Sequence, residues 1–167
     1  AEGVLSLGHN EYWTVEQRRA VAQARDDGSD LGFLGANTMY WRVRVDRDGP
    51  QGMLSEIIYK DSAEDPVQGA DTTDRFREGN AAAERSLIGM DYECYPATGT
   101  YTVTDPDFFL FRGANTDRTY GGLVTIEVDR AYPLPGTPEN LQIVANSPTD
   151  CDGTPTVSNS TYYSVRS

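Results

Sequence analysis

Two apolar runs in the first 36 residues flank a polar segment that carries the features of a helix. The runs are residues 4–7 and 31–36, and each is short enough to be a buried strand. Between them, Thr14 and Gln17 have the spacing of a capping box, which predicts a helix that begins there and ends before residues 26–28. A strand, a helix and a strand in this order predict a βαβ unit with parallel strands and a right-handed crossover.

The pattern changes to a period of two after residue 41. Residues 42–46 alternate between polar and apolar, Asp48-Gly49 predicts a turn, and residues 53–60 return as the second strand of a hairpin. Residues 61–85 are polar and predict a long excursion. Further strand candidates are residues 86–94, 101–104, 123–128, 141–145 and 161–165. We therefore predict a single α/β domain over residues 1–167, with a β-rich second half.

Two loops are predicted to follow the carboxyl ends of the parallel strands, at residues 9–13 and 37–41. Together they contain the sole histidine, His9, and both tryptophans of the chain. Open α/β sheets bind their ligands at this edge, so the convergence of the two loops indicates a functional site. In the alternative interpretation, their tyrosines and tryptophans are core aromatics that fill the end of the sheet.

The charge of the chain excludes some partners. Its formal net charge of −12 argues against binding to nucleic acid or to an anionic membrane surface. No apolar stretch approaches the roughly 20 residues that span a bilayer. The chain has two cysteines, Cys94 and Cys151, and their spacing alone is compatible with either a disulfide or two free buried thiols.

Local motifs for catalysis are few. The chain has no G-x-S-x-G nucleophile elbow, and His9 with Glu11 does not complete a zinc motif. His9 is a candidate general base, or a structural residue that only makes hydrogen bonds. Glu11 with Glu93 or Asp91 is a candidate carboxylate pair, although unpaired surface acids are common in so acidic a chain.

Several blocks of the sequence resemble one known family. They are Gly-His-Asn-Glu-Tyr-Trp at residues 8–13, Phe-Leu-Gly-Ala-Asn-Thr-Met-Tyr-Trp-Arg-Val-Arg at residues 33–44, and shorter stretches at 59–60, 65–66, 92–96, 122–130 and 160–163. They are similar to the carboxy-terminal domain of the N,N-dimethylformamidase beta (large) subunit and its actinobacterial relatives. The resemblance implies a glutamine-amidotransferase-like, flavodoxin-like parallel sheet with β-rich additions. It also implies a fragment of a longer protein, truncated at both ends.

The same resemblance implies a mononuclear Fe(III) site, held by two tyrosines and a glutamate. By position, Tyr12 and Glu93 correspond to two of these metal ligands, and the other tyrosine would precede this chain. Phenolate and carboxylate oxygens are hard ligands that suit a ferric ion. With one ligand outside the chain, we expect these 167 residues alone to bind iron weakly or not at all. His9, Glu11 and Asn37 would orient the substrate and support catalysis.

The function implied is that of an amidohydrolase-like domain that cleaves a small amide C–N bond. Its partners would be flanking segments of the same polypeptide and a small polar substrate. The resemblance further implies that Cys94 and Cys151 are joined, and that the protein is secreted or at the cell surface, with the cytoplasm as the other location. The alternative is a non-catalytic ligand-binding or structural module of a secreted multidomain protein.

Overall fold

A computed structural model of the chain describes residues 2–49, 52–78, 83–114 and 118–165. The chain divides into two compact units, Ala1–Glu84 and Arg85–Ser167, which are named unit 1 and unit 2. Each unit is described by itself. That residues 1–167 form a single domain stays a prediction.

Unit 1 begins with the elements of the βαβ pattern. They are strand β1 (Gly3–Leu7), the short strand β2 (Tyr12–Trp13), helix α1 (Val15–Asp26) and strand β3 (Asp30–Leu34). Strands β1 and β3 pair in parallel, from Gly3 beside Asp30 to Leu7 beside Leu34. The amide of Gln17 donates to Thr14 Oγ1 at 3.1 Å, and the amide of Thr14 donates to Gln17 Oε1 at 2.7 Å. The predicted parallel pair and its capped helix are therefore confirmed.

The rest of unit 1 consists of short strands. They are β4 (Trp41–Arg42), β5 (Arg44–Asp46), β6 (Ser55–Ile57) and β7 (Asp74–Arg75). Strand β4 pairs in parallel with β2 and antiparallel with β7, and β5 and β6 form the predicted hairpin. Large side chains that are buried in this unit belong to Trp13, Met39, Trp41, Val43 and Phe76.

Unit 2 is a four-stranded antiparallel sheet. After helix α2 (Arg85–Ile88) come the strands β8 (Asp91–Thr102), β9 (Thr119–Arg130), β10 (Gln142–Cys151) and β11 (Thr154–Tyr162), in the spatial order β11-β10-β8-β9. Asp152 and Gly153 have φ angles of 49° and 82° and form the tight turn that connects β10 to β11. A disulfide joins Cys94 on β8 to Cys151 on β10, as the resemblance implied.

The prediction of an α/β fold with a glutamine-amidotransferase-like, flavodoxin-like parallel sheet is wrong, because the described structure is mostly β. Parallel pairing among the described strands is confined to β1 with β3 and β2 with β4, while the largest sheet is antiparallel. Parallel strands need crossovers of a dozen or more residues, usually helices. Beyond α1, the described chain has only one α-helix, the four-residue α2, so the long strands of unit 2 pair antiparallel instead. None of the described helices is long and apolar enough to cross a membrane.

Candidate functional site

Two glycines bring the loops that follow β1 and β3 together. Gly8 has a φ angle of +76°, and its amide donates to the carbonyl of Leu34 at 3.0 Å. A Cβ atom on Gly35 would lie 2.5 Å from the carbonyl oxygen of Gly8, which is closer than real Cβ atoms come to backbone. The approach therefore requires that Gly35 lack a side chain, while the positive φ angle of Gly8 favours glycine at that position.

Backbone hydrogen bonds then hold the two loops side by side. The amide of Met39 donates to the carbonyl of Asn10, and the amide of Trp41 donates to the carbonyl of Glu11, both at 2.9 Å. Tyr12 on β2 consequently lies next to Trp41 on β4. The two loops that contain the histidine and both tryptophans thus form one edge of unit 1.

His9 and Glu11 form a contact on this edge. His9 Nε2 lies 3.0 Å from Glu11 Oε2, and the side chains are 52% and 13% exposed. Because an ionised carboxylate can only accept, this contact fits an imidazole that carries a proton on Nε2. The loop is fixed by Asn10, whose Nδ2 donates to Ser6 Oγ at 3.0 Å. The pair therefore presents a solvent-accessible imidazole that a carboxylate orients.

Tyr12 lies in an aromatic group beside a cation. The ammonium nitrogen of Lys60 lies 5.9 Å from the ring centroid of Tyr12 and 5.4 Å from that of Trp41. The guanidinium of Arg75 lies 5.9 Å from the Trp41 ring. These distances are those of cation–π contacts. Sequence reasoning missed Lys60 as a site residue, although it is the sole lysine of a chain with 14 basic residues.

Asn37 has a structural position in the second loop. Its φ angle is 57°, in the left-handed region that asparagine tolerates better than most residues, and it is only 3% exposed. Met39 shares this conformation, with a φ angle of 60°, and is fully buried. Asn37 therefore shapes the loop. The roles predicted for Asn37, His9 and Glu11 in orienting a substrate stay predictions.

Glu93 belongs to unit 2 and is surrounded by hydrogen-bond donors. Its Oε1 accepts from Thr156 Oγ1 at 2.6 Å and from Arg130 Nη1 at 3.4 Å, and its Oε2 accepts from the hydroxyl of Tyr132. Burial disfavours the charged carboxylate, but these donors outweigh burial and hold the pKa of Glu93 below its usual value. Burial and the neighbouring Glu93 raise the pKa of Tyr132. Glu93 is thus an ionised carboxylate whose two oxygens are both engaged.

Asp65 organises the polar segment that follows the hairpin of unit 1. Its carboxylate accepts from Arg44 Nη1 at 2.6 Å and Nη2 at 2.9 Å, from the amide and hydroxyl of Thr73, and from the amide of Val67. The hydrogen bond from Arg44 is the main reason why the pKa of Asp65 lies far below its usual range. These contacts fix the segment from residue 65 to residue 73.

The same segment forms the wall of a cavity of about 280 Å³ that Arg42 and Asp74 also line. Arg42 is 6% exposed, and among the described residues its Nε has no hydrogen-bond partner and no carboxylate forms an ion pair with it. Sequence reasoning did not single out Arg42. A buried arginine without a partner leaves no local sequence pattern, because burial and pairing both depend on distant residues.

Comparison with known families decides the relationship of the chain. The model of the family described as N,N-dimethylformamidase beta subunit-like, C-terminal, matches residues 1–167. The chain belongs to this family. The resemblance noted in the sequence is therefore confirmed. No curated protein matches the chain.

In this dimethylformamidase-like domain, the two expected ligands of iron differ in how well they fit the role. No described residue makes a hydrogen bond with the Tyr12 hydroxyl, so its oxygen can accept a metal ion. Glu93 does not fit as it stands, because a metal would compete with Tyr132 and Thr156 and would lie beside the positive Arg130. No cluster of three or more His, Cys, Asp or Glu side chains in the described part of the chain could hold a metal. The ligand roles of Tyr12 and Glu93 stay predictions.

Proposed function

We propose that this dimethylformamidase-like domain is a hydrolase that cleaves the C–N bond of a small amide. The observation that carries the proposal is the contact between His9 Nε2 and Glu11 Oε2, at 3.0 Å, directly before Tyr12. Amide hydrolysis requires a proton acceptor for the attacking water and positive charge near the developing oxyanion. Membership of the family supports the reaction class.

The residues on the loop edge divide these tasks. His9 accepts a proton from water through Nδ1, while Glu11 holds the imidazole in that tautomer. Lys60, above the rings of Tyr12 and Trp41, supplies positive charge for the carbonyl oxygen of the amide. The proposed cofactor is Fe(III), for which Tyr12 would be a phenolate ligand, and it would act as a Lewis acid on the substrate carbonyl.

The activity is tested with N,N-dimethylformamide, formamide and acetamide, by measuring the release of dimethylamine or ammonia. We expect His9→Gln to lower kcat/KM by roughly 10²–10⁴, which is typical for loss of a general base, and Glu11→Gln to lower it less. Glu16→Gln, an exposed acid on α1, is the matched control and should keep the full rate. If no amide is hydrolysed by the native full-length protein, or if His9→Gln is fully active, the proposal fails.

Iron is tested separately, by elemental analysis of the native full-length protein. Tyr12→Phe should lower the iron content, and Tyr95→Phe, an exposed tyrosine of unit 2, should leave it unchanged. A phenolate-bound ferric ion also gives a coloured charge-transfer band that Tyr12→Phe would abolish. Equal iron content in the two variants would remove Tyr12 from the ligand set.

As partners we propose a small polar substrate and, from the description of the family as a C-terminal part, other segments of the same polypeptide. The disulfide between Cys94 and Cys151 supports a secreted or cell-surface location, because disulfides persist in oxidising compartments. A non-catalytic, ligand-binding module is the second candidate function. The buried Arg42 in its cavity favours that candidate, since a charged group at a cavity wall can bind a ligand without any reaction.

A further inference from the structure

We propose that the cavity beside Arg42 binds a small carboxylate that carries a hydroxyl or amino group on the neighbouring carbon. This cavity, the Arg42 cavity, lies wholly within unit 1. The inference is independent of the proposed hydrolysis, because it uses none of the residues assigned to that reaction.

Arg42 carries a buried positive charge at the wall of the cavity. A guanidinium stays protonated in proteins, and a buried charge without a partner is strongly unfavourable. Arg42 is 6% exposed, yet among the described residues no carboxylate pairs with it and its Nε has no acceptor. A carboxylate in the cavity would supply the missing negative charge and an acceptor for Nε, since the planar guanidinium binds the two oxygens of a carboxylate side by side.

Arg44, two residues further along the chain, shows how this protein treats an arginine with a structural role. Both of its terminal nitrogens donate to Asp65, at 2.6 and 2.9 Å, and Nη1 also donates to the carbonyl of Asp71. Among the described residues, both terminal nitrogens of Arg44 therefore have acceptors, whereas Nε of the buried Arg42 has none. That difference indicates a ligand for Arg42 rather than a structural ion pair.

Asp74 lies beside Arg42 on the neighbouring strand. Strands β4 and β7 pair Arg42 with Asp74, and both residues line the cavity. Asp74 Oδ1 accepts from the amide of Arg75 at 2.7 Å, and its carboxylate forms no ion pair with Arg42 among the described residues. An ionised carboxylate can accept about four hydrogen bonds, so Asp74 can also accept from a hydroxyl or ammonium group of the ligand. Arg42 and Asp74 together thus match a ligand whose carboxylate accepts from Arg42 and whose hydroxyl or ammonium group donates to Asp74.

Size and rigidity restrict the ligand further. The cavity of about 280 Å³ lies just below the range of roughly 300–1,000 Å³ that is usual for small-molecule sites, so the ligand has few heavy atoms. Its wall is fixed by Asp65 through Arg44, Val67 and Thr73. A preformed wall lowers the entropy lost when a ligand binds.

The test is isothermal titration calorimetry of the full chain with glycolate, glycine, acetate, acetamide and inorganic phosphate. We expect glycolate or glycine to bind more tightly than acetate, and the uncharged acetamide not to bind. Arg42→Met should weaken glycolate binding about tenfold or more, because a charge-assisted hydrogen-bonded pair is lost. Asp74→Asn should reduce the advantage of glycolate over acetate. Arg47→Met, which removes an exposed charge of the same unit, should leave every affinity unchanged.

Two results would overturn the proposal. One is that no carboxylate binds in the millimolar range, in which case the cavity holds water only. The other is that Arg42→Met binds glycolate as tightly as the unaltered protein. Tighter binding of phosphate than of any carboxylate would likewise replace the assigned ligand class.

A second measurement serves if Arg42→Met does not fold. The Nε–H resonance of Arg42 in the unaltered protein, assigned by its loss in Arg42→Lys, should shift when glycolate is added and stay in place when acetamide is added. A resonance that ignores both compounds contradicts the proposal.

Discussion

The strands of unit 1 are two to five residues long, whereas the four strands of unit 2 are nine to twelve residues long. Short strands make few backbone hydrogen bonds, so in unit 1 much of the chain is fixed by polar side chains, above all Asp65. In unit 2 the ladder of β10 with β11 is continuous from Ala145 to Cys151, and a disulfide links β8 to β10. The loops with catalytic potential lie in the unit that depends on side chains, where backbone can turn toward a ligand instead of toward a neighbouring strand.

Among the variants considered, Asp65→Asn is expected to lower the stability of unit 1 the most. The change removes the negative charge that pairs with Arg44 and replaces one carboxylate oxygen by an NH2 group, so either Val67 or Thr73 loses its acceptor. We expect this variant to lose more stability than a protein without the disulfide or without the cap of α1. Urea unfolding followed by tryptophan fluorescence measures the loss, because Trp13 and Trp41 both lie in unit 1.

The control for this variant is Asp48→Asn, at an exposed residue of the same unit. It should leave the urea midpoint close to that of the unaltered protein. If Asp65→Asn had no larger effect than this control, polar side chains would not be what holds unit 1.

The corresponding change in unit 2 is Cys94→Ser with Cys151→Ser. The cysteines are 57 residues apart, and in the chain-entropy model opening such a loop lowers the free energy of unfolding by roughly 4 kcal/mol. Hydrogen exchange of the amides in β8 and β10 should accelerate accordingly. Exchange rates that match those of the oxidised protein would show that the ladders alone hold unit 2.

The stability of both units should depend on pH, since each unit contains a carboxylate with a lowered pKa. Asp65 and Glu93 each stay ionised in the folded state at a pH where the unfolded chain has begun to bind protons. Their stabilising effect is therefore complete above the unfolded pKa, about 4, and is lost as the pH falls through each folded pKa. The pKa of Asp65 is lowered the more, so its contribution persists to more acidic pH.

We expect the stability of unit 1, measured by tryptophan fluorescence in urea, to fall below about pH 4. In Asp65→Asn the same measurement should depend less on pH, because the variant has no carboxyl group at this site. If the stability of the two proteins falls identically as the pH is lowered, groups other than Asp65 cause the loss of stability in acid.

The smallest expected effect concerns the start of α1. Thr14→Ala removes the hydroxyl that accepts from the amide of Gln17 at 3.1 Å, and loss of such a cap typically lowers stability by about 1 kcal/mol. Thr14→Ser keeps the oxygen and should retain most of the stability. The urea midpoint of each variant gives the answer, and equal midpoints would show that the cap contributes nothing.

The parts of the fold that the sequence predicted correctly depend on local patterns. Thr14 and Gln17 marked the start of α1, and the hairpin of β5 and β6 followed from the alternation of residues 42–46 and the turn residues Asp48-Gly49. Strand β11 (Thr154–Tyr162) was largely missed, because serine, threonine and asparagine occupy most of its positions and leave no alternation of apolar residues. Residues 86–88 belong to helix α2 although a strand was predicted over residues 86–94, since a short apolar run does not distinguish the two.

The candidate site shows the same division. The adjacency of the loops at residues 9–13 and 37–41 followed from the parallel strands before them, which local pattern predicted. Arg42 and Lys60 were missed because their importance depends on what lies near them in space: a cavity for Arg42 and two aromatic rings for Lys60. Local patterns also did not predict the antiparallel sheet of unit 2, because strand direction is set by pairings between residues far apart in sequence.

The contact between Gly8 and Gly35 has a consequence for engineering this protein. A library that randomised the two loops together with these glycines would consist mostly of misfolded members, because a Cβ on Gly35 would lie 2.5 Å from the carbonyl oxygen of Gly8. With both glycines held constant, the exposed His9 can be varied while the backbone pairing of Asn10 with Met39 and of Glu11 with Trp41 is retained. Keeping the two glycines thus preserves the loop backbone while the exposed loop side chains are varied to select new substrate specificities.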